Sequence, residues 1–239
     1  MIKKIETGIS GLDEVLKGGM REGASVLVTG PPGSGKSILA IQFIVEGAKR
    51  GEAGIYITSE ETVEDVRSYA EALGLDMKEY EKKGLITLVQ QPVQPKKLMS
   101  IATPLSIIKS KKVRRVVLDS ITLFEYMHLS GEMDYRKEVL DFVLKMKEAK
   151  VTLLAVSEKS ISNIDEIHYK PEDFLFEGLI ILTKIRKGHS FEHCAQVYKM
   201  RGQDHSIDLF PFKIGNGGVK IFPQQIPFSL IEKDTKRFK

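Results

Sequence analysis

Apolar residues along the chain fall into two alternating kinds of run. Short unbroken runs occur at Ala24–Thr29, Gly54–Thr58, Leu85–Val89, Arg115–Leu118 and Val151–Val156. Runs of that length, bounded by turn residues, predict strands buried on both faces. Between them lie longer stretches with helical spacing. Lys36–Arg50 carries Ile38, Leu39, Ile41, Phe43, Ile44, Val45 and Ala48, which predicts a helix buried on most sides and stopped near Gly51. Thr62-Val-Glu-Asp65 has the form of a capping box, opening a helix that runs to Ala72 and ends at Gly74. Further helices are predicted over Tyr135–Ala149 and over Lys97–Lys109, where Pro104 would kink the interior. Strand and helix alternating in this way is the pattern of an α/β fold with a mostly parallel sheet covered on both faces.

The last third changes character. Leu179–Lys184, Glu192–Met200 and Phe210–Ile214 follow one another without helices, and Gly188, Gly202 and Asn216-Gly217-Gly218 supply turns. These read as antiparallel strands extending the sheet edge. With no linker, repeat or break in composition, the expectation is one domain over residues 1–239.

Composition narrows the function. No run approaches the ~18 apolar residues of a membrane helix. The opening MIKKIETGISGLDEVL lacks the apolar segment of a leader, so a cytoplasmic protein is expected. The single cysteine, Cys194, excludes an intramolecular disulfide and a cysteine metal cluster; in its alternating run it reads as a small apolar residue. The net charge of +4 is mildly basic and gives no more than weak support for a nucleic-acid partner.

The chemistry concentrates at four strand ends. Gly30-Pro-Pro-Gly33-Ser34-Gly35-Lys36-Ser37 matches G-x-x-x-x-G-K-[ST] in full, after an apolar strand and before a helix. The glycines let successive backbone N–H groups curl toward phosphate oxygens, and the helix N-terminus adds its dipole. Gly33, Ser34, Gly35, Lys36, Ser37 and Ile38 are the expected ATP-binding residues, with Lys36 on the β- and γ-phosphates and the Ser37 hydroxyl on Mg2+. Arg114-Arg-Val-Val-Leu-Asp119-Ser120 is an apolar strand ending in an acid, and Asp119 is the second expected Mg2+ residue, acting through the ion's water shell. Ile55-Tyr-Ile-Thr-Ser-Glu60-Glu61 puts two acids after the second strand, where strand C-termini face a ligand crevice. One of them, Glu60 first, is the candidate to activate water. Glu158, ending the Val151–Val156 strand, is a candidate γ-phosphate sensor.

These motifs, in this order, resemble the KaiC family of RecA-like ATPases over nearly the whole chain. The opening Thr7-Gly-Ile-Ser-Gly11-Leu-Asp13 through Gly18-Gly19 is similar to the family's entry motif. The phosphate loop, the Glu60-Glu61 pair, Val116-Val-Leu-Asp119-Ser120 and Val197-Tyr-Lys199-Met-Arg201-Gly202-Gln-Asp-His205 match as well. The resemblance implies a RecA-type P-loop NTPase core, ATP hydrolysis, and self-assembly into a ring, usually a hexamer, with ATP at the subunit interfaces. It also implies that Glu60 and Glu61 activate water, and that Lys199 and Arg201 act in trans on a neighbour's γ-phosphate. The clock members of the family phosphorylate neighbouring Ser and Thr just before the strand entering the Arg–Gly turn. Here Pro171–Gly178 holds no hydroxyl, so that activity is not expected.

Three functions then compete. One is a ring ATPase whose nucleotide state regulates or recruits an as yet unidentified protein partner. Another is a recombinase-like DNA ATPase on the same core. Against it, residues 158–177 carry six acids and two lysines, and residues 121–136 three acids and one arginine, which would repel a phosphate backbone. The basic stretch Lys109–Arg115 reads instead as a solvated helix end. A third is an ATP-binding switch with little turnover, which the Glu60-Glu61 pair argues against.

Overall fold

The computed structural model describes residues 2–91, 102–129, 134–159, 169–187 and 189–230. The chain opens with a small flap: β1 (Lys4–Ile5), α1 (Leu12–Val15) and β2 (Met20–Arg21), with β1 and β2 paired antiparallel. The alternating core follows as β3 (Ser25–Gly30), α2 (Lys36–Lys49), β4 (Gly54–Thr58), α3 (Val63–Ala72), α4 (Met77–Lys82), β5 (Ile86–Gln90) and α5 (Ala102–Ser110). It continues through β6 (Arg115–Asp119), α6 (Thr122–Leu129), α7 (Tyr135–Glu148) and β7 (Thr152–Glu158). A 3-10 turn at Pro171–Phe174 leads to β8 (Gly178–Lys187), β9 (Ser190–Met200), β10 (Leu209–Gly215) and β11 (Gly218–Ile221).

The main sheet has nine strands in the order β11-β10-β9-β8-β3-β7-β6-β4-β5. Every residue of β3 and β4 is buried, as their unbroken apolar runs require. Strand alternation sorts the core between two faces. Val26, Val28, Tyr56, Val117, Leu154 and Val156 pack with α2, while Leu27, Ile55, Ile57, Val116, Leu118, Leu153 and Ala155 pack with α7. All these strands therefore end at the same edge of the sheet, and that edge carries the site.

Two expectations change. The strand foreseen at Leu179–Lys184 runs parallel to β3, with Val26 opposite Gly178 and Thr29 opposite Ile181, so the antiparallel part starts only at β9. Pro104 lies in the first turn of the described part of α5; residues 97–101 of the helix expected there, and Gly188, lie outside the described residues. Arg115 is not solvated but 1% exposed. Its guanidinium pairs with Glu52 at 2.6 Å, donates to the carbonyls of Glu6 and Phe43, and stacks on the Phe43 ring.

Two of the turn readings correspond to the geometry. Thr62 and Asp65 form the reciprocal capping box of α3, and Asn216-Gly217 makes the two-residue link between β10 and β11, with Gly217 at φ 83. Gln203 ties the opening flap to the segment after β9: it accepts from the Arg21 N–H at 2.7 Å and donates to the Leu16 and Gly19 carbonyls.

Candidate functional site

Between β3 and α2 the backbone must reverse and then start a helix. Gly33 and Gly35 supply the left-handed torsions, at φ 69 and φ 94. Gly35 caps α2 with no side-chain hydrogen bond, and the first turn of α2 holds no acid. By contrast α3, with its capping box and Glu64 and Asp65 in its first turn, is already satisfied. The N-terminal amides of α2 are therefore left to an anion. Ser34 is fully buried beneath the loop, and its hydroxyl has no partner among the described residues.

A cleft of about 470 Å³ opens over this helix end. Gly33, Gly35, Lys36, Ser37 and Ile38 line it from the loop, Glu60 and Glu61 from the end of β4, Asp119 and Ser120 from the end of β6, and Glu158 from the end of β7. Tyr69, Ala72, Leu73 and Ile214 make an apolar wall opposite.

Lys36 is 7% exposed, and its ammonium donates to the Gly30 and Pro31 carbonyls at 2.9 and 3.0 Å. Burial lowers its pKa, opposed by Glu158, Asp119 and Glu60. Burial raises the pKa of Asp119, opposed by hydrogen bonds from Tyr56 and Ser37, while Glu60 adds to the rise. Ser37 at the start of α2 and Asp119 at the end of β6 thus face the same cleft. The Asp119–Ser120 peptide is cis. Glu60 accepts from the Ser120 hydroxyl at 2.9 Å and from the Thr122 hydroxyl. Glu61 accepts from the Tyr69 hydroxyl at 3.2 Å. Both glutamates are exposed in the isolated chain.

An uncapped helix end, an ammonium held only by loop carbonyls and a buried unpartnered hydroxyl fit a bound polyphosphate. The hydroxyl and carboxylate of Ser37 and Asp119 are hard oxygen donors, which fit Mg2+.

A family model described as "ATPase: KaiC" matches residues 5–226. The chain belongs to the KaiC family of ATPases. It is 32% identical to circadian clock protein KaiC3 of Synechocystis, over 98% of this chain and 48% of that protein. It is 30% identical to the circadian clock oscillator protein KaiC of Parathermosynechococcus lividus, over 93% of this chain and 43% of that one. It thus spans a little under half the length of these relatives. A solved KaiC-like protein from Pyrococcus horikoshii superposes with a TM-score of 0.80 at 30% identity, covering 93% of this chain and 100% of that one. The fold is accordingly RecA-like, with a mostly parallel sheet and antiparallel edge strands.

Lys199 and Arg201 stand apart from the cleft. The Arg201 N–H donates to the Glu177 carbonyl and the Glu177 N–H to the Ser25 carbonyl. Ser25 begins β3 and Gly30 ends it, so this pair sits about 16 Å down the strands from the phosphate loop. Lys199 donates to the Asp173 carbonyl at 2.7 Å and lies over the Phe174 ring. Burial, then the neighbouring Arg201, lowers its pKa. Neither residue can reach its own chain's cleft.

Three contributors escaped the sequence reading. Tyr56 lies inside the apolar run Gly54–Thr58 with nothing local to single it out, although it shares a sheet face with Asp119. Thr122 follows the Asp119-Ser120 pair too closely to stand out. Lys184 reads as part of an antiparallel edge, where strand ends do not face the crevice; the parallel run of β8 brings its ammonium beside Gly33 of the phosphate loop.

Proposed function

We propose that this chain binds Mg·ATP in the cleft over α2 and hydrolyses it to ADP and phosphate. The observation that carries the reading is the convergence of Lys36, Ser37 and Asp119 in one cleft over an uncapped helix N-terminus. The amides of Gly33 to Ser37 cradle the phosphates, and Lys36 turns from the loop carbonyls to the β- and γ-oxygens. Ser37 and, through water, Asp119 would hold Mg2+, which supplies charge neutralisation at the terminal phosphates. Glu60, oriented by the Ser120 and Thr122 hydroxyls, accepts a proton from the attacking water as its oxygen bonds to the γ-phosphorus and the bond to ADP breaks. Glu61 supports it from the same strand end, and Glu158 registers the γ-phosphate.

Lys199 and Arg201 act on the nucleotide of a neighbouring copy in a ring, where a guanidinium stabilises the charge of the transferring phosphoryl group. Their distance from the cleft of their own chain supports that assignment. The ring, a hexamer by analogy with the family, changes its contacts with the nucleotide and so regulates or recruits a protein partner.

Phosphate release by the wild type and by a Glu60→Gln, Glu61→Gln double variant tests the catalytic half. The variant is expected to retain nucleotide and lose at least about a hundredfold in turnover. Unchanged turnover would discard the glutamates, and a wild type that binds ATP without turnover would make the protein a switch.

A further inference from the structure

Lys184 belongs to no motif, yet the fold sets its ammonium against the phosphate loop. β8 packs so closely on the loop that a side chain at Gly30 would start 2.2 Å from the Leu182 carbonyl oxygen. Two residues further on, Lys184 projects from the same strand face as Ile180 and Leu182, the face shared with α2. Its Nζ lies 3.2 Å from the point where a Gly33 side chain would begin. Glycine at 33 therefore serves twice: it permits φ 69, and it leaves room for the ammonium to approach the loop backbone.

The ammonium has no internal use. Among the described residues it forms no hydrogen bond and no ion pair, although four carboxylates, Glu60, Glu61, Asp119 and Glu158, line the adjoining cleft. The Lys36 and Lys184 ammonium groups both lie against the phosphate loop, one at the Gly30 and Pro31 carbonyls and the other beside Gly33. Two cations brought together over an anion-binding loop repel each other, and an anion seated between them relieves the repulsion. The acids in the cleft make the same point from the other side. With Lys36 alone, a polyphosphate would meet one ammonium and four carboxylates.

Resting on the nucleotide reading, we propose that Lys184 is a second cation of the same chain for the terminal phosphates of the bound nucleotide. Lys36 reaches the β- and γ-phosphates from the helix side; Lys184 closes on them from β8, over the outer bend of the loop at Gly33. The contact discriminates by charge, favouring the triphosphate over the diphosphate. It differs from the contribution of Lys199 and Arg201, because it is present in an isolated chain.

Equilibrium titration of ATP and ADP, with Mg2+, into the wild type, Lys184→Gln and Lys184→Arg tests it. Melting of each nucleotide-free protein checks that the fold is kept. Lys184→Gln is expected to weaken ATP binding about tenfold and ADP binding by less than about threefold, with an unchanged melting temperature. Lys184→Arg keeps the positive charge and should retain most of the ATP affinity. ATP and ADP affinities within about twofold of wild type in Lys184→Gln, or an equal loss for both nucleotides, would overturn the assignment. A wild type that binds neither nucleotide would overturn the nucleotide reading itself, and Lys184 with it.

Discussion

The Tyr56 hydroxyl donates a 2.6 Å hydrogen bond to Oδ2 of Asp119. Tyr56 is fully buried on β4, and its ring packs in the core under α2, so the bond fixes the carboxyl group from inside the sheet. Register makes this possible: Tyr56 faces Val117 and Thr58 faces Asp119, so the phenol extends along β6 to reach the next residue on its own side. Tyr56→Phe keeps the packing and removes the hydroxyl. It should cost about 1 kcal/mol of stability. The gain in nucleotide affinity on adding Mg2+ should shrink severalfold, while Mg2+-free affinity stays put. Titrations with and without Mg2+ on both proteins check this.

Lys199 and Arg201 sit at the far end of the strands, so their loss should spare binding and damage turnover. Arg201→Ala is expected to lower phosphate release about a thousandfold. Nucleotide affinity measured on dilute protein should match the wild type. Mixing Arg201→Ala with Lys36→Ala subunits should restore part of the activity, because some interfaces then pair an intact loop with an intact finger. A mixture as inactive as its components would remove the trans role.

Arg115 is a buried cation with a carboxylate, two carbonyls and an aromatic face around it. Truncation to Ala leaves Glu52 and both carbonyls without their donor and opens a void against Phe43. The expected loss is about 3 kcal/mol, read as a lower denaturant midpoint. Arg114→Ala, which removes an exposed contact to Glu22, should cost less than about 1 kcal/mol.

Cys194 is fully buried, and burial pushes its thiol up to about 12. At pH 8 the native thiol should therefore react with a disulfide reagent only as the chain opens, and fully in denaturant. The folded state holds this proton more tightly than the unfolded state does. Stability from this group is thus complete below the ordinary thiol pKa of 9.0 and declines as pH rises from there toward about 12. Unfolding midpoints of wild type and Cys194→Ala across that window should converge as pH rises.

What could be read from residues alone was what local pattern encodes. The phosphate loop, the Asp119 strand end and the Thr62 capping box are contiguous, and their chemistry depends on near neighbours. What escaped depends on pairing between distant strands. Periodicity identifies β8 as a strand but does not say that it lies beside β3 in parallel, and Lys184 follows from that placement alone. Arg115 sits in a basic run, so its charge masks a burial that Glu52, the Glu6 and Phe43 carbonyls and the Phe43 ring make tolerable. Tyr56 looked like any strand aromatic until β6 was placed next to β4.

The central claim is that the cleft over α2 takes a magnesium–nucleotide complex through Lys36. Equilibrium binding of labelled ATP to the wild type and to Lys36→Ala, each with Mg2+ and with chelator, tests it most directly. The account predicts saturable binding by the wild type that tightens at least about tenfold with Mg2+ and is lost in Lys36→Ala. Binding that ignores Mg2+, or that survives the substitution intact, would contradict it.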